Sequence, residues 1–406
     1  MKTIIFIGIN KSGSSREAVK AAERLGYFTV VFTNNEKQVK QREEYTDVHE
    51  MILVDTNNLS DMKKEIKKLQ LRGKEIKSIV SFIDSNVYIA SILCDEFCQN
   101  NTSSKAIEIM EDKEKTRIAL KKQPYSPKFI IIRPDEVFSF ESIHKKLNFP
   151  VVVKSPKSTG SKDVLFTENI DDFKKQTLKL QEKNPDEAII IEEYIEGEQY
   201  IVEALVYKNK IQIAGIIQQE ISQGKRFIIT GYGVLMEVSK NIKTGIEEVL
   251  QSVITTFGIK NGAFHLELRH TKNGWKLIEI NPRISGGAMN NMIQAAYGYS
   301  LVEETLKLHL GESPSLVPKR TNNVFTQYLI VSQKGILEKV TGKGRAKRSP
   351  GVVEVYVKPK KGTKLIPPLS MGHRYAYVIA TGSSMEEAKK NAKNAANEIK
   401  FHLIEE

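Results

Sequence analysis

Cysteine is nearly absent. The chain has two in 406 residues, Cys94 and Cys98, four apart in a stretch of helical character. Such a pair reads as packing rather than as a disulfide framework or a zinc site. No apolar run approaches the length that a membrane helix needs. Met1 to Ile9 holds one lysine and a short apolar run before the polar Asn10-Lys11-Ser12-Gly13, which reads as a strand entering a loop and not as a signal peptide. A cytoplasmic protein is the expectation. Two nucleotide motifs are also missing. Gly8 to Gly13 follows the first strand without the spacing of a dinucleotide fingerprint, and Thr33-Asn34-Asn35 stands where an acid should end the second strand. The small-residue loop Ser155 to Val164 lacks the Gly-Lys-Ser/Thr ending of a Walker A loop. No Ser-His-Asp or Cys-His signature stands out.

Charge and size are what the chain does have. The formal net charge is +12, which brings nucleic acid to mind first. The lysines, however, cover nearly every expected helix surface, and no recognition module is evident. An enzyme handling anionic nucleotides accounts for the charge as well, so neither nucleic acid nor a membrane is expected as partner. The length suggests two or three domains, and 40% hydrophobic with 27% charged residues is a globular composition.

Strands and helices alternate over residues 1–105, which implies a doubly wound parallel sheet. Ser14 to Leu25 has helical spacing, with Ser14 or Ser15 as its cap. Ligands of such sheets sit beyond the carboxyl ends of the strands. That singles out Asp84 at a strand end, either as a reader of a cationic substrate group or as a simple helix cap. A buried strand, Phe149 to Lys154, then leads into the small loop containing Ser158-Thr159-Gly160-Ser161, whose backbone donors can fold over phosphates. Ala188 to Glu198 is a strand running into a turn. A hairpin is expected around Lys208-Asn209, a mobile loop over 221–233, and one helix from Ala295 to Leu310. Residues 322–406 read as a smaller α+β unit with a final helix that buries Met385, Ala388, Ala392, Ala395 and Ile399 behind a Ser383/Glu386 capping box. The basic run Lys343 to Arg348 reads as a solvated loop.

The stretch Gly262 to Gly287 carries the chemistry. Two strands flank Asn273-Gly274, a strong hairpin signal. Alternation puts His265, Glu267 and Arg269 on one face of the first strand, and Leu277, Glu279 and Asn281 together on the second. Glu267, Glu279 and Asn281 offer only oxygen, which suits a hard cation such as magnesium. Arg283 has the planar fork for a phosphate or carboxylate, and Gly286-Gly287 let a backbone come close to a ligand. The same residues also describe an ordinary amphipathic hairpin with a solvated charged face.

Taken in order, Lys113 in Asp-Lys, Lys154 after an apolar strand, Ser-Thr-Gly-Ser, Glu-Glu-Tyr-Ile, Gly-Glu, His-Leu-Glu and Glu-Ile-Asn-Pro-Arg resemble the ATP-grasp superfamily of carboxylate–amine ligases. Phe-Ile-Gly-Ile-Asn-Lys-Ser-Gly near the start, Phe-His-Leu-Glu and the C-terminal unit resemble its L-amino acid ligases, related to bacilysin synthetase and to arginine-initiated rhizocticin synthesis. The resemblance implies an α/β and α+β chain: an N-terminal domain over 1–105, an ATP-grasp domain over 106–312 with a nucleotide lid at about 126–197, and a C-terminal α+β domain over 322–406. It implies ATP and Mg2+ as cofactors, with two ions and Mn2+ as a substitute. Lys113 and Lys154 would contact phosphates, and Ser158, Thr159, Gly160 and Ser161 would close over them. Glu192, Glu193, Tyr194 and Ile195 would read adenine, and Glu198 the ribose. Glu267, Glu279 and Asn281 would hold the metal. Arg283 would steady the transferred phosphoryl group, with Gly286 and Gly287 beside it. His265 would contact the second amino acid, or serve as a hydrogen-bonded structural histidine.

The reaction this implies is dipeptide formation from two L-amino acids through an acyl phosphate, with ADP and phosphate released and a basic residue such as arginine in first position. Small-molecule amino acids are then the partners, and a homodimer is one open arrangement. The alternatives are another ATP-grasp ligase or biotin carboxylase-like enzyme, and an ATP-binding regulatory protein without chemistry.

Overall fold

Four sheets organise the described residues. The computed structural model describes residues 1–98, 103–134, 136, 138–156, 163–222 and 227–404. The first sheet is parallel, in the order Glu50–Leu53, Phe28–Thr33, Lys2–Ile7, Glu75–Val80. Its strands are near-continuous apolar runs because helices cover both faces. Ile4 and Phe6 pack with Ala18, Val19 and Ala22 of the Ser14–Arg24 helix. Ile5 and Ile7 pack on the other side with Ile66 of one helix and Leu93 of another. Neither serine caps the Ser14–Arg24 helix. Gly13 takes the cap position, and Ser15 Oγ instead accepts from the Asn10 N–H at 2.9 Å. Cys94 and Cys98 form no disulfide.

The second sheet is antiparallel, in the order Phe129–Ile132, Ile189–Glu193, Val151–Lys154, Val164–Thr167. The helix Ile170–Lys183 seals one face through Phe173 and Leu180. The third sheet is the largest, eight strands in the order Gly274–Asn281, Gly262–Thr271, Glu198–Tyr207, Lys210–Ser222, Ile228–Val234, Asn323–Leu329, Ala376–Gly382, Val352–Val357. The tight turn at Lys208-Asn209 takes positive φ at both residues (50° and 63°), the geometry that matches strand twist in a two-residue hairpin.

Several local expectations shift. Most of the described residues of 221–233 are strand, and Gly231 and Gly233 serve close packing. A Cβ on Gly231 would lie 2.6 Å from the Phe325 ring, and one on Gly233 3.0 Å from Met385 Sδ. The single helix expected over Ala295 to Leu310 is two, Met289–Tyr297 and Leu301–His309. Gly298 breaks it in the left-handed region and Ser300 caps the second. Lys343–Arg348 is a short helix. The capping box of the last helix, Met385–Glu398, sits one residue later: Ser384 Oγ accepts from the Glu387 N–H, and Glu387 accepts from Ser383. Its buried alanine face is as expected.

The last three strands of the large sheet lie beyond residues 312–322, which carry no helix or strand. Asn323–Leu329 pairs directly with Ile228–Val234, Gly233 opposite Phe325. The C-terminal residues therefore extend the central sheet instead of forming a separate one, and only a small third-layer sheet, Lys364–Leu365, Gly335–Thr341 and Lys400–Ile404, stands apart. Among the described residues no helix is long and apolar enough to cross a membrane.

Candidate active site

Register decides which polar groups meet. Across the 262–281 hairpin His265 faces Asn281 and Glu267 faces Glu279, but Leu268 faces Leu277. A β-bulge at Ile278 accounts for the change: one extra residue reverses the facing of everything before it. Leu277 thus joins Leu266 and Leu268 in the core, contrary to strict alternation, while Glu279 and Asn281 turn with Glu267 into a cavity of about 330 Å³.

This cavity draws on every part of the chain. Its wall includes Asp84, Lys113, Lys154, Glu192 to Ile195, His265, Glu267, Glu279, Asn281, Arg283, Gly286 and Gly287. Ser158 to Ser161 lie outside the described residues, as does the middle of the 221–233 stretch. Glu198 does not join the wall. Alternation turns it to the far face with Tyr200, whose hydroxyl donates to its carboxylate, and Gln199 takes the cavity side.

One end of the cavity is a buried charge cluster. Lys113 and Arg117 stand four apart on the helix Lys113–Ala119, and so share a face. Arg117 grips Glu192 through Nε at 2.6 Å and Nη2 at 3.1 Å and donates to the Ile278 carbonyl at 2.7 Å. Lys154 donates to the same carboxylate at 2.7 Å. Burial alone would raise the Glu192 pKa; Arg117 and Lys154 outweigh it and hold it at about 2. Burial pushes Lys154 the other way, down to about 8, with Arg117 adding to the effect and Glu192 opposing it. Two cations on one carboxylate leave surplus positive charge, which suits a polyphosphate. Beside it Arg269 reaches the Ile195 carbonyl and Gln199 Oε1, and its guanidinium stacks 5.2 Å from the centre of the Tyr194 ring. Tyr194 stacks in turn on Phe227.

The opposite charge gathers at the hairpin. Burial, and then the facing Glu279 carboxylate, push Glu267 up to about 7. Burial works against Glu279 as well, but Lys113, 3.1 Å away, and Lys154 keep it below its ordinary value. No three of the described His, Cys, Asp and Glu side chains cluster as a metal site; the set is two carboxylates and an amide. Its chemistry still fits Mg2+, which takes few carboxylates and keeps water and phosphate for the remaining positions. The shared excess of negative charge on Glu267 and Glu279 is what a dication would relieve.

His265 has both ring nitrogens engaged. Nδ1 lies 2.8 Å from the Arg283 carbonyl, an acceptor, so Nδ1 carries the proton; Nε2 then accepts from Asn281 Nδ2 at 3.2 Å. Burial, then Arg283, push its pKa down to about 4, so the ring is neutral. With its nitrogen end tied to His265, the Asn281 amide has its oxygen left for a cation. Arg283 pairs with Asp84 and donates to the Ile284 carbonyl at 2.8 Å. Asp84 is therefore engaged by an arginine of the central domain. The loop after Arg283 is pinned by Glu203, whose two oxygens accept from the Ser285 N–H at 3.1 and 3.2 Å; burial raises Glu203 to about 7. Gly287 is left-handed (φ 66°).

Arg117, Gln199, Glu203 and Arg374 line or brace the cavity and stand outside the motifs. The i,i+4 spacing of Lys113 and Arg117 was a usable signal for the first; nothing local marks Arg374.

The family models that match are an ATP-grasp domain over residues 147–291 and an L-amino acid ligase C-terminal domain 2 over 327–403. The chain is 23% identical to an uncharacterized Sinorhizobium fredii protein, y4rH, over 87% of this chain and 74% of that one. It is 22% identical to the L-arginine-specific L-amino acid ligase of Bacillus subtilis, over 77% of each. The crystal structure of an L-amino acid ligase from Bacillus licheniformis superposes with a TM-score of 0.80 at 17% identity, covering 100% of this chain and 99% of that one. The fold and both matching models agree: the chain carries an ATP-grasp domain and an L-amino acid ligase C-terminal domain 2, and it is similar to the ATP-dependent carboxylate–amine ligases.

Proposed function

We propose that this chain joins two L-amino acids into a dipeptide and converts ATP to ADP and phosphate. The observation that carries the reading is the convergence, in one cavity, of a cation-rich end at Lys113 and Lys154, backed by Arg117, and an oxygen-only set at Glu267, Glu279 and Asn281, with Arg283 and Gly286–Gly287 between the set and the N-terminal domain.

A carboxylate acylates poorly because its leaving group would be oxide. In the proposed reaction a carboxylate oxygen of the first amino acid attacks the γ-phosphorus, the bond to ADP breaks, and an acyl phosphate forms. The neutral amine of the second amino acid then attacks the acyl carbon. The C–O bond to phosphate breaks, the amide forms, and the departing phosphate takes the amine's proton. Lys154 and Lys113 hold the phosphates by charge, and the strand edge at Glu193 to Ile195 faces adenine. Arg283, aimed by Asp84 and by the Ile284 carbonyl, steadies the transferred phosphoryl group and the oxyanion that follows, with the Gly286–Gly287 backbone as second donor. Glu267, Glu279 and Asn281 would hold a pair of Mg2+ ions, or Mn2+, which when bound offset charge on the phosphoryl oxygens. His265 holds Asn281 in place. A basic first amino acid such as arginine is the narrower form of the proposal; the printed name of the Bacillus subtilis relative supports it, and Asp84, paired with Arg283, adds nothing to it.

The test is phosphate release from MgATP with all pairs of the common L-amino acids, with product masses recorded. Dipeptide with ADP supports the reading. ADP without dipeptide points to another carboxylate or amine within the superfamily's chemistry, and tight ATP binding without turnover to a regulatory protein.

A further inference from the structure

Among the described residues five cationic side chains line the cavity: Lys113, Lys154, Arg269, Arg283 and Arg374. Three are paired with carboxylates, Lys113 with Glu279, Lys154 with Glu192 and Arg283 with Asp84. Arg269 is buried and ties Gln199 to the Ile195 carbonyl on the nucleotide side. Arg374 differs from all of them. It precedes the Ala376–Gly382 strand, so the C-terminal domain delivers it to the wall. Its partners are neutral: Nε donates to the Met371 carbonyl at 3.2 Å, and Nη1 to the Tyr232 hydroxyl at 3.0 Å and the Ile229 carbonyl at 3.3 Å. Among the described residues no carboxylate lies within ion-pair distance of it and Nη2 makes no hydrogen bond.

The Glu267 carboxylate acts on it by charge without pairing with it, and its location is as informative as its partners. The guanidinium lies 3.9 Å from the centre of the Tyr328 ring. The Tyr328 hydroxyl accepts from the Ala288 N–H at 3.2 Å and sits 3.2 Å from where a Cβ on Gly287 would be. Arg374 is thus held one aromatic ring away from the Gly286–Gly287 backbone. An arginine stacked on tyrosine and anchored through Nε and Nη1 holds Nη2 in a fixed direction, with its N–H donors left for an acceptor such as a carboxylate oxygen.

The proposed reaction needs such a group. One amino acid loses its carboxylate charge to acylation. The other, which supplies the amine, keeps its carboxylate through the whole reaction and into the product, and a desolvated carboxylate requires a counter-charge. We propose that Arg374 receives the α-carboxylate of the amino acid that supplies the attacking amine. This rests on the dipeptide reading, and the experiment separates the two.

The probes are hydroxylamine, which intercepts an acyl phosphate as the hydroxamate and carries no carboxylate, and the acceptor amino acid found in the pairwise screen together with its primary amide. In the unaltered protein the amide should be a poorer acceptor than the acid by about 10- to 100-fold in kcat/KM, the loss of a charge-assisted hydrogen bond. Arg374→Met should raise KM for the acid by a similar factor, abolish the difference between acid and amide, and leave hydroxamate formation unchanged; Arg374→Lys should retain part of the preference. Acid and amide used equally well by the unaltered protein, with hydroxamate formed, would overturn the Arg374 assignment alone. A fall in hydroxamate equal to the fall in dipeptide in both variants would also overturn it, and would make Arg374 a tie between strands. No hydroxamate with any amino acid would overturn the dipeptide reading and this assignment with it.

Discussion

His265 and Asn281 stand directly opposite each other across the hairpin, and the ring nitrogen of one accepts from the amide of the other at 3.2 Å. The histidine acts through the asparagine. His265→Ala should therefore weaken the response to Mg2+, by about 10- to 100-fold as for other groups that orient a metal ligand. With a pKa near 4, His265 stays neutral across the working range. Its loss should leave the pH profile between 6 and 8 unchanged, and a titration of rate against Mg2+ at three pH values checks both points. A vanished acid limb would make it an acid–base group instead.

Lys154 supplies the pH dependence. Its folded pKa of about 8 lies below the ordinary lysine value of 10.5, so the unliganded protein loses this positive charge as pH rises through 8. Phosphates favour the charged form, and binding must then take up a proton. ATP affinity should fall by about tenfold per pH unit above 8. Calorimetry in buffers of different ionisation enthalpy would detect the proton uptake, and Lys154→Met should weaken binding at pH 7 and remove this dependence.

Glu279 is the carboxylate held ionised beside Lys113. Glu279→Gln swaps a charged ligand for a neutral one at the same size and should lower turnover by more than about 100-fold, with ATP-independent thermal stability near normal. A folded variant with ordinary turnover would remove Glu279 from the metal set.

Asp84 aims Arg283. Asp84→Asn should lower kcat by roughly tenfold with every amino acid alike. A loss confined to arginine and lysine substrates would show instead that Asp84 reads the substrate side chain.

Gly197 tests the frame. It ends the turn after Ile195 at φ 145°, and a Cβ there would lie 2.1 Å from the His270 carbonyl oxygen. Gly197→Ala should cost roughly 2 kcal/mol or more, read as a lower midpoint in chemical denaturation.

Periodicity and turn chemistry made much of this legible. The parallel sheet, the Lys208-Asn209 turn, the alanine face of the last helix and the facing of Glu267 with Glu279 follow from local patterns that tertiary packing did not override. What escaped depended on distant partners. The Ile278 bulge leaves no mark in a run of alternating residues. Gly231 and Gly233 look like loop residues until Phe325 and Met385 are set against them. Gly298 lies inside an apolar run whose spacing survives the break. Glu198 was carried by a motif, whereas its facing is set by strand alternation. Arg374 is one basic residue among many, and its meaning comes from Tyr328 and from having no ion pair among the described residues.

The pairing of Asn323–Leu329 with Ile228–Val234 bears on how this protein can be taken apart. The segment 312–322 is an inviting place to cut, yet a chain ended there would leave Ile228–Val234 as a bare edge, with Ile229 and Tyr232 uncovered and the strand's backbone groups open to any other strand. Chimeras that exchange C-terminal units between relatives therefore need a matched seam: the Ile228–Val234 strand should travel with the unit that it hydrogen-bonds, whatever the linear order of the chain suggests.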